Sequence, residues 1–406
     1  MLAEKGLEWY FRGVKAALLT TCLCLGIACN CLGQDALLQY LLAAQKDSGI
    51  TSASNKQKPQ YVNDVHVFTR LAYETGMIMP VDDKEHVNAL LRNSSYSSIL
   101  LSNTWDVSPS SVYSRIYRKP KLGIGIGFMN FRNQSFGKPY LFYGYTEIPI
   151  NRQERRLIFT YGIGAGIAWN FHHYDKVDNP GNEAIGSSVN AHLQASFSMY
   201  YWLSEHFIMG IGTGFRHFSN GALQKPNAGI NIIPLTLSLQ YKIMERQVTN
   251  VTPELPPFQK HWSYSIYNSV GAKQLEMGEP RVFKNLLGFN AGYKFSYKYR
   301  IAAGFDMTYT AGSPQRVSGT ESNFSKSVSY GPYLGWEWYL TNRLYIPFYM
   351  GAYIHRNPEN EEENVLFQRL GVRYAIVPSH ALVVGVGLKS HLGAADFIEF
   401  TLGTNF

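Results

Sequence analysis

From Val189 to Leu203 the chain alternates without a break. Val189, Ala191, Leu193, Ala195, Phe197, Met199, Tyr201 and Leu203 fall on one face, and Asn190, His192, Gln194, Ser196 and Ser198 on the other. A period of two held that long means a β-strand with one oily and one wet side. Leu157–Trp169 repeats the pattern, setting Leu157, Phe159, Tyr161, Ile163, Ala165, Ile167 and Trp169 against Thr160, Gly162, Gly164 and Gly166. Ile233–Ile243 and Tyr299–Tyr309 do likewise. A strand that is oily outside and small or polar inside belongs in the wall of a membrane barrel.

Counting such segments gives about eight between residues 66 and 243 and about eight more between 262 and 406. The even total fits a closed antiparallel transmembrane barrel, and closure leaves no unpaired edge in lipid. Beyond the N-terminus no apolar run is long enough for a transmembrane helix. The composition agrees: Tyr 28, Phe 23, Trp 7 and Gly 36 stand beside only 16% charged residues. The final segment places Ile398, Phe400, Leu402, Thr404 and Phe406 on one face, opposite Glu399, Thr401, Gly403 and Asn405. A terminal aromatic closing an alternating strand resembles the assembly signal of bacterial outer-membrane proteins. The expected fold is all-β, an outer-membrane barrel of about sixteen strands in one wall. The alternative is two eight-stranded units.

Connections alternate in length. Ser204–His206, Thr341–Arg343 and Pro378–His380 are short; Phe171–Gly186, Asn220–Gly229, Gly312–Ser325 and Arg356–Asn364 are long and polar. Short turns are expected in the periplasm and long loops outside. Met244–Lys260, with Pro253, Pro256 and Pro257, is long where a short turn belongs, and reads either as an unusual turn or as a divider between two barrels.

At the N-terminus, Lys5, Arg12 and Lys15 precede the apolar run Ala16–Ala28 and small residues up to Gly33. That is the layout of a secretory signal peptide over 1–33. A lipoprotein signal ending at Cys29 would put a leucine where Gly26 stands. Cys22, Cys24, Cys29 and Cys31 all lie inside this segment, so an exported chain has no thiol for disulfides, catalysis or metal. The expected organisation is then a polar segment (34–65), a first set of strands (66–243), a linker (244–261) and a second set (262–406). The net charge of +8 is spread along the chain without a basic tract, so it does not indicate nucleic acid.

One constellation can carry chemistry. Along Phe207–Ser219, Phe207, Met209, Ile211, Thr213 and Phe215 share the lipid face, while Gly210, Gly212 and Gly214 point inward. The next two residues on the oily face are His217 and Ser219. Two residues along a strand span roughly 6.5–7 Å, so an imidazole and a hydroxyl there can meet. A lone pair of this kind at a strand end is ordinarily interfacial, yet it is costly in lipid without a purpose.

The surrounding motif says more. His-x-Ser-Asn-Gly over His217–Gly221, followed by Pro-Asn-x-Gly over Pro226–Gly229, resembles the active-site hairpin of PagL-type lipid A 3-O-deacylases. The upstream loop Asp178–Ser187 is also similar to that family, and the resemblance covers roughly residues 66–243. It implies an outer-membrane ester hydrolase with no cofactor and no metal, acting on lipid A of the lipopolysaccharide from the extracellular side. Carried over residue by residue, Ser219 is the nucleophile and His217 its general base. Backbone N–H groups of Asn220 and Gly221 steady the oxyanion, and Pro226, Asn227 and Gly229 shape the turn. The family places a glutamate on the next strand to orient the histidine, and Asn231 stands at that position here. Asn231 can accept a hydrogen bond from His217 but brings no charge. Either it acts alone, or Asp175, Asp178 or Glu183 from the neighbouring loop supplies a carboxylate, or the site is inactive.

Other polar residues read more plainly. His172 and His173 adjoin Asp175, but adjacent residues of a strand end point to opposite faces, which argues against a metal site. His391 and Glu399 read as polar residues of the lumen or periplasmic end, Glu359–Glu363 as a solvated loop, and Trp262, Trp336 and Trp338 as interfacial belt residues. The rival to the hydrolase is a porin-like or structural barrel with the motif as a remnant, since about sixteen strands would enclose an aqueous lumen.

Overall fold

The computed structural model describes residues 63–406 except 82–84, 109–110, 152–155, 249–254, 312–323, 358–359, 361, 363 and 377–381. The expected signal peptide, most of the polar segment, most of the Gly312–Ser325 loop and the Pro378–His380 turn therefore lie outside the described residues. The first eight strands are β1 (Asn63–Ile78), β2 (Tyr96–Asp106), β3 (Lys121–Asn130), β4 (Gly137–Pro149), β5 (Leu157–Phe171), β6 (Asn190–Trp202), β7 (Phe207–Ser219) and β8 (Ile230–Val248). The next eight are β9 (His261–Gln274), β10 (Arg281–Lys294), β11 (Tyr299–Thr310), β12 (Val328–Tyr339), β13 (Leu344–Ala352), β14 (Leu366–Ala375), β15 (Val383–His391) and β16 (Ala394–Asn405).

These strands do not form one wall. They close as two separate barrels of eight, β1–β8 and β9–β16, each in simple up-and-down order. Strand β8 returns to β1 in register from Asn63↔Val248 to Ile78↔Ile232. Strand β16 closes on β9 from Phe400↔Val270 to Asn405↔Ser265. The expectation of a single sixteen-stranded barrel is thus corrected, and the two-unit alternative holds. The reason is edge pairing: with β1 on its free edge, β8 has none left to offer β9. Strand β8 runs to Val248 and β9 begins at His261, so the connection between these two strands joins one barrel to the other.

Closure at eight strands also removes the wide aqueous lumen on which the porin-like reading depended, because an eight-stranded interior is filled by side chains. In the first barrel Arg70 makes a two-pronged pair with Glu147 at 2.7 and 2.6 Å, and Tyr200 Oη donates to the same carboxylate at 2.6 Å. Arg216 bonds Glu74 at 2.6 Å and Gln194 Oε1 at 2.5 Å. In the second, Arg369 holds Glu399 at 2.8 Å and Asp306 at 2.9 Å, and Lys273 and Lys284 share Asp396 at 3.0 and 2.7 Å. Glu362 is fully buried, beside Ser329 and 3.8 Å from Lys284. Glu362, within the run Glu359–Glu363 read as solvated, is therefore inside the barrel. Outward faces carry Leu71, Ile99, Ile126, Phe197, Met209 and Leu237, all exposed as a lipid-facing band requires.

The barrels touch at both ends. At the end bearing the short turns, Tyr117 Oη donates to Tyr339 O at 2.6 Å and accepts Trp338 Nε1–H at 2.7 Å. Tyr161 stacks on Trp338, so this tryptophan packs between barrels instead of forming part of a belt. At the opposite end, the β7–β8 loop meets the β9–β10 connection, with Gln274 N–H donating to Ala222 O at 2.9 Å.

Candidate active site

The alternation of β7 continues to its last residue and sets the site. Phe218 points inward, fully buried, with its ring stacked on His192 at 4.6 Å and packed near Phe171 at 6.0 Å. With Phe218 anchored inside, His217 and Ser219 must project from the outer face. His217 lies directly across from Asn231 in the β7–β8 pair. His217 Nδ1 is 2.7 Å from Asn231 Oδ1. Since an amide oxygen only accepts, this contact places the ring proton on Nδ1 and leaves Nε2 with the lone pair.

Ser219 is covered by its own hairpin, with only 7% of its surface exposed. Asn227 Nδ2 donates to Ser219 Oγ at 2.8 Å, and Gly221 N–H donates to it at 3.1 Å. Asn227 Oδ1 in turn accepts the backbone N–H of Asn220 at 3.3 Å. The Asn220 side chain ties the loop to its surroundings, donating to Gln224 O at 2.8 Å and to Ser187 Oγ at 3.1 Å. Among the described residues no hydrogen bond joins His217 to Ser219. The backbone N–H groups expected as oxyanion donors are here engaged within the hairpin, Asn220 with Asn227 and Gly221 with Ser219.

Two glycines have conformational reasons to be glycine. Gly221 sits at φ +62°, and a Cβ there would lie 2.4 Å from Ile398 Cγ1 of the second barrel. Gly229 sits at φ +81°, and a Cβ there would come within 3.1 Å of His217 Cε1. Both needs, positive φ and close approach, exclude larger residues.

The loop between β5 and β6 forms the bed of the hairpin. Gly229 N–H donates to Ala184 O at 2.8 Å, and Ala228 N–H to Glu183 O at 3.2 Å. Asn182 Nδ2 fixes the loop by donating to Ser135 O at 2.7 Å and His172 O at 2.8 Å. Of the carboxylates weighed as partners of His217, Asp175 and Glu183 serve other groups. Asp175 accepts the N–H of Val177 at 2.8 Å and of Asp178 at 3.0 Å, which holds its carboxyl below the usual range. Glu183 pairs with His86 at 3.0 Å. Asp178 takes part through its backbone, as that donor to Asp175. Of the histidines, His172 Nδ1 is engaged with Gln134 O at 2.9 Å.

Sequence reasoning gave Asn227 a turn-shaping part only; its contact with Ser219 Oγ was missed. Its place in Pro-Asn-x-Gly was the available signal, but which atom its amide reaches depends on the folded loop.

Comparison with known proteins agrees with the two-barrel division. Residues 85–240 match the family described as lipid A 3-O-deacylase (PagL), and residues 262–406 match the acyloxyacyl hydrolase C-terminal domain. No curated protein matches the chain. Among solved structures, Neisserial surface protein A is similar at 10% identity, over 45% of this chain and 99% of its own, with a TM-score of 0.28. The Acinetobacter baumannii outer-membrane protein Omp33 is similar at 9% identity, over 84% of this chain and 98% of its own, with a TM-score of 0.15. The chain is an outer-membrane β-barrel protein whose first barrel carries a PagL-family lipid A deacylase domain, an ester-hydrolase family, and whose second is an acyloxyacyl hydrolase C-terminal domain.

Proposed function

We propose that the first barrel removes an ester-linked acyl chain from lipid A with Ser219 as nucleophile, His217 as general base and Asn231 as the residue that orients the base. The observation that carries this reading is the 2.7 Å contact between His217 Nδ1 and Asn231 Oδ1, which leaves Nε2 free to take a proton. The two acceptor positions of the Ser219 hydroxyl are filled by Asn227 and Gly221. Its own hydrogen is the one bonding element left over, and His217 is the base two residues away on the same face. As that proton passes to Nε2, Ser219 Oγ attacks the acyl carbonyl carbon. The carbonyl oxygen becomes an oxyanion, which the N–H groups of Asn220 and Gly221 can meet once substrate displaces their present partners. Collapse expels the sugar oxygen, which takes the proton back from His217, and leaves an acyl-enzyme. Water, deprotonated by the same imidazole, then releases the fatty acid and restores Ser219.

Because His217 and Ser219 leave the outer face of the wall, the acyl chain can lie along the barrel exterior, in the outer leaflet. The test is mass spectrometry of lipid A from cells that express the wild-type chain or Ser219→Ala. Loss of one acyl chain in the first and none in the second is the expected result. Equal deacylation by both, or intact lipid A in both with the protein folded in the outer membrane, would refute it.

A further inference from the structure

The loop that carries Gly221 does not stand alone; the second barrel grips it. Gln274, the last residue of β9, receives Lys225 N–H on its Oε1 at 2.6 Å and donates its own N–H to Ala222 O at 2.9 Å. Arg281, the first residue of β10, donates from Nε to Leu223 O at 2.7 Å and from Nη2 to Gln224 Oε1 at 3.2 Å. Lys225 Nζ reaches back to Leu275 O at 2.7 Å. Gly221 itself is pressed against the second barrel's wall, where an added Cβ would stand 2.4 Å from Ile398 and 3.5 Å from Leu388. Four successive residues after Gly221 are thus bound to the other barrel by main-chain or amide groups. Gln274 is nine-tenths buried, so water cannot easily replace it.

We infer that the second barrel is a positioning element for the ester-cleaving hairpin, with Gln274 and Arg281 as the positioning residues and the Ile398–Leu388 wall as the stop for Gly221. This rests on the assignment of Ser219 and the Gly221 N–H to the reaction. A flexible loop of about ten residues would sample many conformations, and fixing its carbonyls on a rigid barrel rim removes that freedom before substrate arrives. A misplacement of about 1 Å at such a site is worth roughly a hundredfold in rate. The chemistry stays in the first barrel, while the rate depends on the second.

The test uses the full chain in detergent micelles, with lipid A as substrate and heat-modifiable migration on gels as the check of folding. The variants are Arg281→Ala, Gln274→Ala, their double, Arg281→Lys and Ser219→Ala. The expected result is a kcat lowered about tenfold to a hundredfold in the double variant, with KM changed by less than about twofold. Arg281→Lys should recover part of the loss, since one ammonium can serve one of the two acceptors. Should the double variant not fold, the single Arg281→Ala decides, because that side chain is exposed. A wild-type kcat in folded Arg281→Ala and Gln274→Ala would overturn the inference, as would an effect on KM alone. Activity surviving in Ser219→Ala would instead refute the underlying site, whatever Arg281 does.

Discussion

His217 and Asn231 face each other across the β7–β8 pair, Nδ1 to Oδ1, at 2.7 Å. An asparagine fixes the tautomer and the ring plane but gives no charge to the imidazolium that forms when Ser219 is deprotonated. Asn231→Asp keeps the reach and adds that charge. Its kcat on lipid A is expected to rise at least about tenfold. Asn231→Ala, which frees the ring, should fall by a similar factor. Equal kcat in all three would show that the contact does not serve the reaction.

Asn227 links Ser219 Oγ to the backbone of Asn220. Asn227→Ala is expected to lower kcat about tenfold, the cost of about one lost hydrogen bond. The barrel should still show its normal unfolding midpoint in urea, because no lumen contact is touched.

Gly229→Ala places a methyl group within 3.1 Å of His217 Cε1 at a backbone φ of +81°. The expected outcome is loss of deacylation with the barrel still folded, read by lipid A mass spectrometry beside heat-modifiability. Unchanged activity would mean that His217 has room to move without consequence.

The lumens make a separate prediction. Arg369 is bonded to Glu399, Asp306 and Tyr267 inside the second barrel, and it is 1% exposed. Arg369→Ala leaves buried carboxylates unpaired and should cost about 3–5 kcal/mol of stability, measured by urea titration in micelles. Planar-bilayer recordings of the wild-type protein should show no porin-scale conductance, since both interiors are filled.

Much of this was legible in the sequence, and the residues show why. The unbroken alternation Val189–Leu203 needs only the pleat to say which side each residue takes. The same rule puts His217 and Ser219 on one outer face. Closure was not legible, because alternation looks the same in one barrel or two; whether β8 pairs with β1 or β9 is decided by the edges. The Met244–Lys260 connection with its three prolines was the local hint. Glu362 was misread because a run of acids is usually solvated, and only the fold brings Lys284 and Ser329 to it. The grip of Gln274 and Arg281 on the Ala222–Lys225 loop joins residues some fifty positions apart, beyond the reach of any periodicity.

The most direct test of the central claim is to trap the nucleophile. The folded protein would be treated with a long-chain alkyl fluorophosphonate, a mimic of the acyl ester, and the adduct located by peptide mass spectrometry. A single adduct on Ser219, formed much more slowly in His217→Ala, is the expected result. An adduct on another residue, or none on a protein that still deacylates lipid A, would contradict the assignment of Ser219 and His217.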